Sequence, residues 1–399
     1  MAVATRVRRT FLAFRRSRGR LLGSLAVGWF LVLGMRYVVP ALLPTIRTEY
    51  HISHTTAGLA VTVLWLTYAV IQFPTGALVD RIGERILLSG SMILSGLGLL
   101  VYGFSPVFAL FLLATAVFGL ATGLYGPTRG TVLSRCFPDR EGTAFGTVLA
   151  AGSLGAAVLP FLAAVATDWI GWRIAFGLVA PAYLLVGAIL WWTVPERETT
   201  PSERSILPDI RASLTAVRDR RLALAVVGAT LMLFGFQAVT AFLTTFLVQQ
   251  RGMSQGTAGG LLSLLFVGGA VAQTSTGALA DRLGTPRVLA VVSALSVVPL
   301  IVLPSLRGTL ALAVASIAIG IRMSSGPLST AYVIDVLPDE IEGTAWGMLR
   351  TAFFAVGSFG STVVGAMADR GVFAGAFYLL AVVTALAAVV FVFLPERAR

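Results

Sequence analysis

Four arginines interrupt otherwise apolar runs of this chain: Arg36, Arg129, Arg322 and Arg350. A guanidinium stays charged at physiological pH, and its planar fork of donors matches a carboxylate or phosphate with two bonds at once. At the centre of a helix in a bilayer such a charge costs roughly 2.5–3.5 kcal/mol. Each therefore needs an anionic partner, a cluster of carbonyls or a path to the interface. No Asp or Glu stands in the middle of any apolar run; Asp335 and the other acids fall at run ends or between runs. Lacking a built-in counter-charge, the arginines point to a small anionic ligand. Polar and aromatic residues stand at similar depth: Tyr37, Trp65, Tyr68, Gln72, Gln237, Gln273 and Tyr332. Tyr68 and Gln72 are four apart and share a helix face.

Other chemistry is not in view. His51 and His54 lie in one short segment with no third ligand type at metal spacing, so no metal site is expected. Cys136 is the only cysteine and has no partner for an intramolecular disulfide. The rows show no phosphate-binding loop, no nucleophile elbow and no catalytic acid–base pair. The expectation is a protein without cofactor and without enzymatic activity.

The elements that must position the arginines follow from composition. The chain has 399 residues, 57% hydrophobic and 12% charged, with mean hydropathy +0.88. Soluble domains average about 45–50% apolar and about 25% charged. An ordinary cytoplasmic enzyme, a disordered chain and a nucleic-acid binder are thereby excluded, and a polytopic α-helical membrane protein remains. Apolar runs long enough to span fall at 22–44, 56–79, 86–104, 107–135, 143–166, 173–194, 222–249, 255–280, 287–305, 308–335, 343–367 and 372–394. The net charge of +12 is all arginine, for the chain has no lysine. With the N-terminus inside, 21 of 30 arginines fall on cytoplasmic segments, five outside and four within runs. The positive-inside rule then puts both termini in the cytoplasm. The first run, behind a basic flank with seven arginines, reads as a retained helix rather than a signal peptide. Trp169 and Trp172 outside, and Trp191 and Trp192 inside, suit interfacial belts. The expected setting is the plasma membrane of a prokaryote, the bilayer being the main partner.

The chain also repeats at an offset of 200–201. Gly76-Ala-Leu-Val-Asp80-Arg81-Ile-Gly83 recurs as Gly277-Ala-Leu-Ala-Asp281-Arg282-Leu-Gly284. Gln72 maps onto Gln273, Gly126-Pro127 onto Gly326-Pro327, and Pro195-Glu196-Arg197 onto Pro395-Glu396-Arg397. The organisation read from this is a basic cytoplasmic segment 1–21, a six-helix half 22–195, a cytoplasmic linker 196–221, a second six-helix half 222–395 and a tail 396–399.

On these residues the chain resembles the major facilitator superfamily of secondary transporters. The resemblance rests on the six-plus-six helices, the Gly-x-x-x-Asp-Arg-x-Gly loop with its echo, and the Pro-Glu-Arg that ends each half. It implies an all-α fold of two parallel halves that rock about a central site. Helices 1, 4, 7 and 10 would line the cavity, 2, 5, 8 and 11 would stand around them, and 3, 6, 9 and 12 would face lipid. It further implies gating roles for Gly76, Asp80, Arg81, Gly83, Arg85, Gly277, Asp281, Arg282 and Gly284. Asp80 would cap helix 11 near Gly343, and Gly76 would allow close helix packing. One departure is Glu84, where the family usually has a basic residue; Arg85 follows it. The bridge to Asp139 or Glu141 at the foot of helix 4 would then come from Arg81 or Arg85. The arginine that drug/proton antiporters carry early in helix 4 would fall near Thr115 and is missing. Their helix 5 glycine pattern is reduced to Gly152-Ser-Leu-Gly155 and Pro160.

Depth sorts the four arginines. Arg36 and Arg322 lie roughly 21 Å along their helices and are expected to grip substrate, while Arg129 and Arg350 lie about 9–10 Å from the cytoplasmic end and are expected at the gate. The reading is a monomeric transporter of a small organic anion, by proton symport or anion exchange. The alternatives are a proton-coupled drug or metabolite antiporter and, in another class, a non-transporting membrane receptor or adaptor.

Overall fold

The computed structural model describes the backbone of residues 2–196, 219–338 and 342–396, and the side chains of those from 18 onward except 342–344. The linker 196–221 and the tail 396–399 lie mostly outside the described residues. Among the described residues twelve helices are long and apolar enough to cross a membrane. In the first half they are α1 Arg18–Ala41, α2 His54–Ile82, α3 Glu84–Phe104, α4 Phe108–Cys136, α5 Pro138–Ile170 and α6 Trp172–Thr193. In the second they are α7 Arg220–Arg251, α8 Gln255–Leu283, α9 Thr285–Ser305, α10 Thr309–Val336, α11 Ala345–Asp369 and α12 Phe373–Val392. A short helix, Leu43–Tyr50, which the hydropathy reading treated as loop, follows α1.

The repeat seen in sequence is also a repeat of local chemistry. Ser53 caps α2 by accepting from the Thr56 amide, and Ser254 caps α8 by accepting from the Thr257 amide. Gly83 and Gly284 end α2 and α8 at φ +86° and +88°, a region that favours glycine. The Pro-Glu-Arg blocks act here too. Arg85 donates to the Val194 carbonyl and pairs with Glu196 at 3.4 Å, while Arg287 pairs with Glu396 at 2.7 Å. Each six-helix half is thus fastened to its own last helix. Glu84, fully buried, pairs with Arg135 at the end of α4 at 3.0 Å. The charges of the expected bridge are therefore reversed, with the acid on α3 and the base on α4. Glu141 instead accepts a hydrogen bond from Ser134.

Within each half, α3 packs on α6 and α9 on α12, and these pairs turn large apolar side chains such as Leu97, Leu178, Val298 and Val382 outward. Trp169, Trp191 and Trp192 are exposed as an interfacial belt requires, but Trp172 is buried and its indole donates to Glu49. The halves meet along α2–α11 and α5–α8, with α1 also touching α7. One core cluster lies inside the first half and another inside the second. The third straddles both, from Tyr37 and Trp65 to Phe242 and Phe373. It fills the seam toward the face where α2 begins and α11 ends, here called distal. The opposite, proximal face, where α1 begins and α12 ends, has no such shared core among the described residues.

Glycines let these helices touch. A side chain at Gly155 in α5 would overlap the Phe30 carbonyl of α1, and one at Gly365 in α11 would overlap the His54 carbonyl of α2. By contrast, a methyl at Gly76 or Gly277 would meet nothing within 4 Å, so in this conformation neither is a close-packing position. Replacing Gly155 by alanine should destabilise the purified protein by about 1–3 kcal/mol, the usual cost of overpacking. Gly76→Ala should leave the thermal midpoint unchanged, a contrast read in one detergent-solubilised melt.

Candidate functional site

A cavity of about 670 Å³ opens between the halves. Its lining runs from Arg36, Tyr37 and Trp65 to Gly76, Val226 and Trp346. On α4, α5, α8 and α11 the lining lies in the part nearer the proximal face, and on α1, α2 and α7 it reaches past the helix middle, where the shared core closes it distally, so the cavity is a proximal crevice that ends beyond mid-depth.

Four arginines line it: Arg36, Arg129, Arg322 and Arg350. The depth argument split them into a substrate pair and a gate pair, but the structure groups them differently. Arg36 is 1% exposed and its guanidinium lies 4.2 Å from the Tyr68 ring centre, 5.2 Å from that of Trp29 and 5.5 Å from that of Trp65. Arg129 lies 4.1 Å from the same Trp29 ring. Arg350, from the other half, hydrogen-bonds the Tyr68 hydroxyl at 3.4 Å. Three cations therefore converge on Trp29 and Tyr68. Arg322 stands apart in the second half, in the 3₁₀ break Ile321–Ser324 of α10. Its Nη2 donates to the Met232 carbonyl and the Thr384 hydroxyl. Gly235 makes room for it, since a side chain there would overlap that Nη2.

Sharing one ring holds the Arg36 and Arg129 guanidiniums within about 9 Å of each other. Two unit charges at that separation repel by about 2 kcal/mol at an effective dielectric of about 20. Aromatic faces offset part of this, at about 0.5–2 kcal/mol per cation–π contact. No Asp or Glu lines the cavity among the described residues. The imbalance shows in hydrogen bonding as well. Arg36 Nη2, Arg129 Nε and Nη1, Arg322 Nε and Nη1, Trp29 Nε1, Trp65 Nε1 and Gln72 Nε2 are buried with no acceptor. Against these donors stand the free Oε1 of Gln237 and the hydroxyl of Ser329. A buried donor left without a partner costs about 1–3 kcal/mol, more when charged. The site is therefore built to receive acceptors.

Most of the other sequence candidates also reach this cavity. Tyr37 packs on Trp65, Phe236 and Phe266 with ring centres 4.4–6.2 Å apart. Trp65 stacks across the seam on Phe354 at 6.1 Å. Gln273 lines the wall and donates to the Met323 carbonyl at the break in α10. Tyr332 does not line it: its hydroxyl donates to the Pro395 carbonyl at 2.8 Å, within the second half's own core. Asp80, Arg81, Asp139, Glu141, Asp281 and Arg282 are all exposed at the proximal face. The sequence reading missed Trp29, the ring shared by two arginines.

It also missed the distal closure. Asp369, the last residue of α11, accepts from the His54 and Thr55 amides at 2.7 and 2.8 Å and from the Thr55 hydroxyl at 2.6 Å. A carboxylate thus sits on the N-terminus of α2, where backbone donors and the helix dipole both favour it. His54 adds contacts to Asp369 and to Gln249 of α7, each at 2.9 Å. Lower in the seam Thr62 donates to the Ser358 carbonyl, and Gln255 at the start of α8 donates to the Ala41 carbonyl. A sequence signal existed: Gly365-Ala-Met-Ala-Asp369-Arg370 repeats the first six residues of the loop motif, with Val372 where the motif has its second glycine.

Replacing Asp369 by asparagine should weaken the distal seam by about 1–3 kcal/mol. In a Cys136→Ser background, a cysteine at buried Val61 should then react with a membrane-impermeant thiol reagent roughly tenfold faster or more. Gly235→Ala should displace the Arg322 guanidinium without lowering the thermal midpoint, and should weaken stabilisation by any anion that binds.

A family model described as Major Facilitator Superfamily matches residues 25–326 and 226–399. A probable hexose phosphate transport protein of Chlamydia trachomatis is 24% identical over 174 residues, 43% of this chain and 38% of that protein. The multidrug resistance protein MdtG of Rahnella sp. is 23% identical over 268 residues, 66% of this chain and 65% of that protein. In both cases the match spans less than two thirds of the relative's length. A crystal structure of the nucleoside transporter NupG superposes with a TM-score of 0.79 at 14% identity, covering 94% of this chain and all of that one, a likeness of fold. With the family model spanning both halves, this chain belongs to the Major Facilitator Superfamily.

Proposed function

We propose that the protein is a secondary transporter that carries a small organic anion by alternating access. The observation that carries this reading is that four arginines line the cavity, three of them (Arg36, Arg129 and Arg322) with buried, unpaired donors, and that no carboxylate stands among its described lining residues. Arg36 and Arg322 take the anion from opposite halves, and Tyr37, Trp65, Tyr68, Gln72, Gln237 and Gln273 surround its body. Asp80 and Asp281 with their glycines belong to the proximal gate. The arginine asymmetry supports a cytoplasmic proximal face in a prokaryotic plasma membrane, and the protein works as a monomer. The Chlamydia relative's name, with its hexose phosphate, agrees with an anionic cargo.

A drug-export reading has one observation in its favour, the aromatic wall of Trp29, Trp65, Phe236 and Phe354, and the name of the MdtG relative agrees with it. It requires the arginines to be dispensable. The receptor reading requires binding without flux in proteoliposomes.

Thermal stabilisation of the purified protein by carboxylates, phosphates, sugars and cationic drugs separates these readings. Anions alone should raise the midpoint, and stabilisation by only neutral or cationic compounds would overturn the proposal. Arg36→Ala and Arg322→Ala should each weaken anion binding at least about thirtyfold, since losing one partner of a buried charge pair costs about 2–5 kcal/mol. Both should remain folded and fail to transport in proteoliposomes; transport surviving either replacement sinks the assignment.

A further inference from the structure

We infer that the cargo is a carboxylate borne on a flat aromatic body, an aryl carboxylate rather than a sugar phosphate or an aliphatic acid. The inference rests on the anion reading above and adds the chemistry of the part of the cargo that carries no charge.

A run of rings follows the cavity and crosses the seam between the halves. Tyr37 of α1 meets Trp65 of α2 with ring centres 5.5 Å apart. Trp65 meets Phe354 of α11 at 6.1 Å, the two planes 29° from parallel. Phe354 meets Phe353 at 5.2 Å, and Phe353 meets Trp346 at 5.8 Å. All five rings line the cavity. Tyr37 lies past the middle of α1, and Trp346 stands at the proximal start of α11, so the run leads from the depth of the cavity to its mouth. Offset and tilted rings at such spacings attract one another beyond the area they bury, and a further ring laid on the run is held in the same way. Elsewhere the wall is bare. Gly126 and Gly130 of α4 and Gly326 of α10 line the cavity, and a methyl on any of them would meet nothing within 4 Å. A flat body has room to lie there.

The cations that take the charged end sit against the same rings. The Arg36 guanidinium is 5.5 Å from the Trp65 ring centre, and that of Arg350 is 5.7 Å from the Phe354 ring centre. A carboxylate on either guanidinium brings whatever carries it against Trp65 and Phe354.

Hydrogen bonding points the same way. The buried side-chain atoms of the cavity that lack a partner are nearly all donors; the acceptors among them are the Oε1 of Gln237 and the hydroxyl of Ser329. Each hydroxyl of a sugar brings a proton that needs an acceptor, and a buried one without a partner is penalised. Carboxylates and asparagine amides would supply such acceptors. No Asp or Glu stands among the described lining residues, and the chain has no asparagine. A carboxylate brings acceptors only, and a ring brings neither donor nor acceptor. An aryl carboxylate thus uses the free donors, leaves nothing of its own unpaired and answers both the cations and the rings of the wall.

Four ligands test this: phenylacetate, cyclohexylacetate (the same charge without a π face), phenylacetamide (the same ring without charge) and glucose 6-phosphate. Each Kd is read from the shift of the purified protein's thermal midpoint with ligand concentration at neutral pH. Phenylacetate should bind about threefold to tenfold more tightly than cyclohexylacetate, as one added aromatic contact predicts, and more tightly than glucose 6-phosphate. Phe354→Leu should erase the preference over cyclohexylacetate, and Phe354→Tyr should keep it. Because Phe354 also stacks across the seam, Trp346→Leu at the mouth is read in parallel and should lower the same ratio. A ratio of affinities does not move when a variant merely loosens the fold.

Cyclohexylacetate binding as tightly as phenylacetate overturns the inference. So does glucose 6-phosphate binding more tightly than both, a ratio left unchanged by both leucine variants, or no binding of phenylacetate at all. The first three outcomes leave the anion reading standing. Phenylacetamide binding as tightly as phenylacetate defeats the anion reading itself, and this inference falls with it.

Discussion

A guanidinium inside an apolar wall has to be balanced by something, and in this protein the balancing group is not a carboxylate. Trp29 lies beside two of the four arginines and Tyr68 beside two. Quadrupoles soften the cost of a buried cation but leave its charge in place. The rest of the cavity follows from that choice. Gly235 opens space for Arg322, the 3₁₀ break of α10 turns it inward, and the Oε1 of Gln237 adds a buried acceptor without a protein partner. Filling the wall with acids would have made a quieter core and closed it to anions.

The same division of labour organises the two seams. Distally, the halves share an apolar core and a helix cap. Proximally, they are separated by a crevice in which Gly76 and Gly277 touch nothing across the gap. Each half meanwhile carries its own fastening, Arg85 to Glu196 in one and Arg287 to Glu396 in the other. These surface pairs are individually weak, but they join the loop motif to the end of the sixth helix of the same half. The halves can then move as bodies, with the lipid-facing helices carried along.

Much of this was legible in the sequence. Twelve spans, the internal repeat and the four membrane arginines follow from hydropathy and residue type alone. What hydropathy cannot give is rotation about a helix axis. Depth placed Tyr332 with the ligands, yet its hydroxyl points to the Pro395 carbonyl inside one half. Depth also separated Arg36 from Arg129, although both meet Trp29, because the sequence distance between α1 and α4 says nothing of a shared ring. Glu84 read as a broken motif, and only the neighbouring end of α4 reveals that Arg135 has taken the opposite sign. The distal cap was readable in principle from the third copy of Gly-Ala-x-x-Asp-Arg at Gly365.

That cap has a bearing on which positions can drift. Two of the four groups that hold the Asp369 carboxylate are main-chain amides, those of His54 and Thr55. Every residue but proline brings such an amide with it. The side chains at 54 and 55 can therefore change over evolutionary time while the attraction persists. Nothing at 369 other than a short acid reproduces its half of the contact, so the tolerance of the two sides is unequal.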